Sequence, residues 1–268
     1  MSSNWQDVTF GRFSEDRLIS YHNAGFFSCC SVLLHLIVHY INVYKRLPKF
    51  LDTSHTFHWY KKEGVPGDIF PEYFSCNGEL QVEYTRDICY HENHQFFDFA
   101  KLDWEKLVPL IQKYFNPSPE IQSIMDELVR KYAINYNKTC VLFLRGNDKS
   151  TECSIPDYDF YRKAGANILE KEPDIRFMIQ SDETEFIDLM TAELGNSFYC
   201  KDEIRHIQKS NTTVDIVHKP TNHEFSKKFL AIVMIMAKCK YVVCNYGNCS
   251  IWIALFRGNV DNLIEYFV

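Results

Sequence analysis

Short apolar runs and longer stretches of helical period take turns along this chain, the rhythm of strands and helices in alternation. Residues 17–21 (RLISY) read as a short strand, 22–28 as a glycine-containing loop, and 29–44, apolar almost all round, as a buried helix that stops at Leu47-Pro48. Residues 49–51 predict a second short strand. The stretch 52–90 is rich in aromatics and broken by Gly and Pro, without periodicity. Residues 104–115 predict a helix interrupted at Pro109. Ser118-Pro119-Glu120 then has the chemistry of a helix start: a hydroxyl cap, a proline in first position and an acid at the positive end of the dipole. Ile121, Ile124, Met125, Leu128 and Tyr132 supply that helix's apolar face.

The second half alternates more regularly. Val141-Leu142-Phe143-Leu144 is an apolar run of buried-strand length, followed by the polar turn Arg145-Gly146-Asn147-Asp148-Lys149 and an amphipathic segment over 157–171. Strands are expected at 175–180, 197–200, 214–218 and 241–244, and helices at 184–194, 223–238 and from the loop 245–248 through Arg257. Strands without inside–outside alternation, separated by helices, imply an α/β fold whose parallel sheet is covered on both faces. The helix opening at Ser118 leads straight into the central strand, so the chain divides into residues 1–117 and 118–268. It contains no internal repeat.

Composition narrows the function. At 268 residues and a net charge of −6, with basic residues dispersed, the chain lacks the electrostatic footprint of a nucleic-acid binder. Its ten cysteines include no Cys-x-x-Cys pair and read as reduced core thiols of a cytoplasmic protein. The polar amino terminus has no signal-peptide core, and the apolar run near 229–237 is too short to span a bilayer. The three sequons, at Asn137, Asn211 and Asn248, read as chance matches.

Candidate chemistry centres on the turn after the central strand. An Arg at the carboxyl end of a parallel strand stands where open α/β sheets bind ligands, and its planar fork suits phosphate oxygens. The same turn also reads as a surface loop whose Arg145 and Lys149 pair with Asp148 and Glu152. Asp182, just beyond another strand, either accepts hydrogen bonds from a ligand or caps the helix at Thr184. In the loop 245–250, small residues let backbone N–H groups and a helix amino terminus approach an anion. Trp59 and Tyr60 either stack on a sugar or pack in the core. His35 and His39 have ligand spacing but no HExxH context, and His91 and His94 lack a third partner, so no metal site is expected. A P-loop and a GxGxxG are both absent.

FLRGNDK (143–149) resembles the first conserved peptide, roughly H-x-R-(R/x)-x-D-K, of the fucosyltransferase superfamily that includes the α-1,6, nodulation and protein-O-fucosyltransferases. FMIQSDETEF and YVVCNYGNCSIWIALFRG resemble its later peptides, and Gly25-Phe26 its amino-terminal loop, in order from about Tyr21 to Gly258. The resemblance implies a GT-B-like fold of two Rossmann-like lobes with mostly parallel sheets and a cleft between them, residues 1–117 on the acceptor side and 118–268 on the nucleotide-sugar side. It implies an inverting, metal-independent transfer, with GDP-fucose as the expected donor and a glycan hydroxyl as acceptor. Arg145 would hold the β-phosphate, Lys149 would steady negative charge, and Glu152, one residue closer than in the α-1,6 enzymes, would be the general base. Asn147, Asp148, Asp182, Asn245, Gly247, Asn248, Cys249 and Ser250 would complete the donor site. Asn23, Gly25, Phe26, Phe27, Trp59 and Tyr60 would face the acceptor. The chain departs from the pattern at Phe143 (His in the family), Gly146 (a second Arg) and Ile232 (an Asp that reads guanine). Another nucleotide sugar, or a non-catalytic sugar- or nucleotide-binding role on the same fold, therefore stays open.

Overall fold

The computed structural model describes residues 5–76 and 84–267. Residues 1–4, the start of the polar amino terminus, and 77–83, inside the aromatic-rich stretch, lie outside the described residues.

The first sheet runs β1 (Gln6–Val8), β2 (Gly11–Phe13), β3 (Arg17–Ser20), β4 (Phe50–Asp52) in that order. Only β3 and β4 pair in parallel; β1–β2 and β2–β3 are antiparallel. The parallel arrangement expected here thus extends to one pairing of three, because two three-residue strands too short to leave a pattern precede the βαβ unit. Between β3 and β4 runs α1 (Phe26–Tyr44), starting three residues earlier than its sequence suggests and buried over most of its length. By length and composition α1, unlike the shorter run at 229–237, could cross a membrane, yet 72% of its most apolar stretch is buried inside the molecule. Its main neighbours are β3, the helix at Asn248–Arg257 and the short 3₁₀ helix Glu92–Phe96.

A connecting region follows: α2 (Phe70–Tyr73), a two-stranded pairing of β5 (Phe74–Ser75) with β6 (Asn116–Pro117), α3 (Trp104–Tyr114) and α4 (Pro119–Lys131). α3 is continuous through Pro109 instead of interrupted there, giving up one backbone bond rather than the helix. α4 starts as its sequence dictates, with Ser118 Oγ accepting the Ile121 N–H at 3.3 Å.

The second sheet has β7 (Thr139–Leu144) at its centre, flanked by β8 (Arg176–Ser181) and β9 (Ser197–Phe198) on one side and β10 (Tyr241–Asn245) and β11 (Leu263–Tyr266) on the other. All four pairings are parallel. Every residue of β7 is buried. Cys140, Leu142 and Leu144 pack with α5 (Tyr158–Lys171) and α6 (Thr184–Glu193), whereas Val141 and Phe143 join the other core with α8 (Asn222–Lys238) and α9 (Asn248–Arg257). That two-sided burial explains the unbroken apolar run. Residues 214–218, expected as a strand, form the short helix α7 (Val214–Val217), because Thr213 offers its hydroxyl to the Asp215 N–H at the helix start. β9 also stops at Phe198, two residues early.

Under the space between the sheets, α1 is fastened to α9. Trp252 Nε1–H donates to Ser31 Oγ at 2.9 Å, and Ser31 Oγ–H donates to Asn248 Oδ1 at 2.7 Å. One continuous apolar core contains residues of α1, α3, α4, α8 and α9.

Candidate active site

Above that fastening lies a cavity of about 350 Å³, bounded by the loop before and into α1 on one side and by the ends of β7 and β8 on the other. Its volume falls at the lower end of small-molecule sites, roughly 300–1,000 Å³.

Arg145 is the best-braced residue on its wall. Asn245, fully buried at the end of β10, clamps the Arg145 backbone from both directions: Oδ1 accepts the N–H and Nδ2–H donates to the carbonyl, each at 2.9 Å. The guanidinium is spread between two acids, Nη2 donating to Asp148 Oδ1 at 3.0 Å and Nη1 lying 2.9 Å from Asp182 Oδ2. The Asp182 approach is off line for a hydrogen bond, so that buried oxygen makes none and still has a lone pair to give. Burial alone would lower the Arg145 pKa; Asp182 first, then Cys249 and Asp148, raise it, so the fork stays charged. Asp148 is shifted upward by burial against the pull of Arg145.

Asp182 does not cap α6. Its Oδ1 accepts the Gly146 N–H at 2.9 Å instead, tying the β7 turn to the end of β8. Glu183 continues the tie, accepting the Asn147 N–H at 3.0 Å and the Tyr158 hydroxyl at 2.6 Å. This carboxylate gives a physical reason for glycine at position 146, since a Cβ there would stand 1.9 Å from Glu183 Oε1. The space that the stem of the family's second arginine would take is filled by Glu183, two residues beyond the end of β8.

Lys149 is almost fully buried, its Nζ donating to Glu152 Oε2 at 2.5 Å and to Gln95 Oε1 at 3.1 Å and standing 4.8 Å from the centre of the Phe96 ring. Its stem explains Gly247, which has φ +144° and would place a Cβ 3.0 Å from Lys149 Cε. Glu152 is half exposed and lines the cavity. Cys249 lines it too, its thiol pushed up to about 11 by burial although Arg145 pulls the other way. No side chain caps the amino end of α9, so its first N–H groups and dipole remain available at the cavity's edge.

Of the residues expected to touch a donor, Arg145, Asp148, Asp182, Gly247, Asn248 and Cys249 line the cavity, as do Lys149 and Glu152. Asn147, Asn245 and Ser250 do not. Asn147 is buried, its amide donating to the Asp182 carbonyl at 2.5 Å and accepting the Ser210 N–H at 2.9 Å. Asn245 positions Arg145, and Ser250 is fully buried with an unpartnered hydroxyl. On the opposite wall Gly25, Phe26, Phe27, Trp59 and Tyr60 line the cavity, whereas Asn23 stands off it, joining Tyr21 and His55 carbonyls to the His58 N–H. Trp59 is partly exposed; Tyr60 is 1% exposed and structural, its hydroxyl accepting the Phe26 N–H and donating to Asp215 Oδ2, both at 2.7 Å.

Among the polar residues of the cavity that sequence reasoning missed, three stand out. Asp215 enters from the start of α7. Arg205 brings a second guanidinium, stacked 4.2 Å over Phe225 and donating to Asn222 Oδ1 at 2.6 Å. Gln180 sits beside Phe143 in the β7–β8 register, is 2% exposed, and makes no hydrogen bond through either amide atom. Only Gln180 carried a signal, a polar side chain inside an apolar strand run. Ile232, by contrast, is fully buried in α8 and not at the cavity. The chain does carry one Asp-x-Asp, the pattern by which many metal-dependent transferases hold a nucleotide sugar, but Asp157-Tyr158-Asp159 lies off the cavity and serves as a helix cap: Asp157 accepts the Asp159 N–H, and Asp159 pairs with Arg162.

No protein-family model matches the chain, and no curated protein matches it in sequence. Among solved structures it is similar to NodZ α-1,6-fucosyltransferase soaked with GDP-fucose, at 12% identity over 91% of this chain and 93% of that one, with a TM-score of 0.51. A fucosyltransferase NodZ from Bradyrhizobium aligns at 14% identity over 86% and 88%, with a TM-score of 0.44. The first likeness shows a fucosyltransferase-like GT-B fold.

Proposed function

We propose that the chain is an inverting glycosyltransferase that moves fucose from GDP-fucose to a glycan hydroxyl without a metal ion in the cleft. The observation that carries this reading is the charged, doubly braced Arg145 fork at the end of the central strand, facing a cavity it shares with the uncapped start of α9. Support comes from the GT-B fold, whose similar NodZ structure was soaked with GDP-fucose. In the reaction, the acceptor oxygen attacks the sugar's anomeric carbon as that carbon's bond to the β-phosphate oxygen breaks. Arg145 and the α9 amino end take up the charge gathering on GDP. Glu152 takes the acceptor proton, and Lys149 holds the Glu152 carboxylate in place. The free state of all ten cysteines agrees with a reducing, cytoplasmic setting.

A second reading concerns the base. The Gln180 amide, buried and unpartnered at the cavity, offers one donor and one acceptor side by side. That pair fits the O6/N1–H edge of guanine and the O4/N3–H edge of uracil equally, which keeps a UDP-sugar donor in contention.

Calorimetric titration of GDP, GMP and UDP into wild type, Arg145→Ala and Arg145→Lys tests both readings. Charge-assisted bonds to the β-phosphate are worth roughly 1.5–3 kcal/mol, so Arg145→Ala should weaken GDP by about ten- to a hundredfold. GMP, lacking that phosphate, should change much less, and Arg145→Lys should recover little. Equal losses for GDP and GMP would remove Arg145 from the phosphate. Tighter UDP than GDP would move the donor. GDP binding that vanishes in EDTA and returns with magnesium or manganese would overturn the metal-free mechanism.

A further inference from the structure

Away from the catalytic residues, His35 on α1, His91 and Glu92 bring three ligand atoms within 4.8 Å of one another. Sequence spacing paired His35 with His39 and left His91 without a third partner; the fold supplies that partner from α1. Glu92 Oε2 stands 3.4 Å from His35 Nδ1 and 3.1 Å from His91 Nδ1. It is buried and makes no hydrogen bond. The two imidazole rings meet edge to face, 4.6 Å between centres.

Neither separation is a hydrogen bond, since the Glu92 Oε2 atom accepts none. Ligands held about 2.0–2.1 Å from a tetrahedral ion stand roughly 3.3–3.4 Å apart, close to both. The donor set, two imidazoles and a carboxylate with His91 exposed to solvent, suits zinc-class ions and not magnesium.

We infer that His35, His91 and Glu92 form a binding site for one divalent transition-metal ion of the Zn²⁺ class. The ion ties a strap to α1. Asn42 of α1 already grips that strap at Ile88, its amide donating to the Ile88 carbonyl at 2.9 Å and accepting the Ile88 N–H at 2.8 Å. Further along, the same strap passes through the short 3₁₀ helix Glu92–Phe96 and presents Gln95 and Phe96 to Lys149. Binding exchanges two contacts, the Tyr90 carbonyl 3.3 Å from His35 Nδ1 and the Asn93 N–H that His91 Nδ1 accepts at 3.2 Å. The site's role is to hold the strap, and it stands whatever the cleft transfers.

The full-length chain, stripped with chelator and titrated with Zn²⁺, should take up one equivalent with a rise in melting temperature, and Mg²⁺ should do neither. Co²⁺ should give the intense visible bands of four-coordinate cobalt. Glu92→Gln and His91→Asn, the second keeping a capping side chain at the helix start, should each weaken Zn²⁺ by about a hundredfold, since losing even an outer partner costs 10–100-fold. Circular dichroism checks that both variants are folded. Absence of saturable Zn²⁺ binding, or binding unchanged in both variants, would overturn the site.

Discussion

On the β7 side of the cleft, Arg145 is gripped at both backbone atoms by Asn245 and faces an acid at each terminal guanidinium nitrogen. On the α1 side, Gly25 to Phe27 rests on aromatic rings and on one phenol, Tyr60, that reaches across to Asp215. The first wall is preorganised electrostatics, in which buried polar groups leave a charged fork little freedom. The second is packing with a single polar pin. A site divided this way commits its rigid half to the part of a substrate that gathers charge and leaves its softer half to a partner of varying shape.

Turnover gives the sharpest way to break this contrast. Glu152 stands on the rigid wall yet is half exposed and pinned only by Lys149. As general base, its change to Gln should lower turnover by roughly a hundredfold to ten-thousandfold with donor affinity nearly intact. Near-normal turnover in a steady-state assay would assign the proton to another carboxylate, and Asp215, which the Tyr60 hydroxyl meets across the cavity, is then the next to change.

Asn245→Ala strips the backbone clamp from Arg145. Two bonds to partly buried groups should cost about 2–3 kcal/mol in denaturant unfolding, and GDP should weaken alongside. Stability lost without any change in GDP affinity would mean that the fork keeps its aim unaided.

Tyr60→Phe probes the other wall, leaving the Phe26 N–H buried without its acceptor. The expected loss is about 1–2 kcal/mol, with acceptor KM rising more than donor KM. A donor-side effect of equal size would dissolve the distinction between the walls.

The mildest expectation lies outside the cleft, at Glu265 on β11, whose carboxyl accepts the Phe99 N–H at 3.2 Å and is pushed up to about 7 by burial. A carboxyl raised on folding binds its proton more tightly in the folded chain. Its contribution is therefore fully present below about pH 4.5 and falls away as pH rises to about 7. Glu265→Gln should flatten that part of the stability–pH curve, and an unchanged slope would exempt Glu265.

Legibility followed the same division. The β7 wall was readable because its information is local: a run buried on both faces, then Arg145 at its end, then the small residues ahead of α9. The meaning of Gly146 was not, because the carboxylate that excludes a side chain there, Glu183, comes from beyond the end of β8. Arg205 and Asp215 escaped notice because their segment has no periodicity of its own. In Val214–Val217 the β-branched residues suggested a strand, and one threonine hydroxyl at the helix start prevailed. The antiparallel start of the first sheet was hidden by brevity. Asn147 and Asn245 were picked out for the right loops and the wrong reason, since amides that complete a buried network resemble ligand contacts in a one-dimensional reading.

The Trp252–Ser31–Asn248 chain beneath the cavity constrains traffic through it. With the two walls bolted together at their base and sharing one core, any swing of one wall against the other must break that chain or shear that core. A molecule the size of a nucleotide sugar must enter and leave past the rim, where the Arg205–Asp215 segment and the Gln95–Phe96 strap stand as the doorposts.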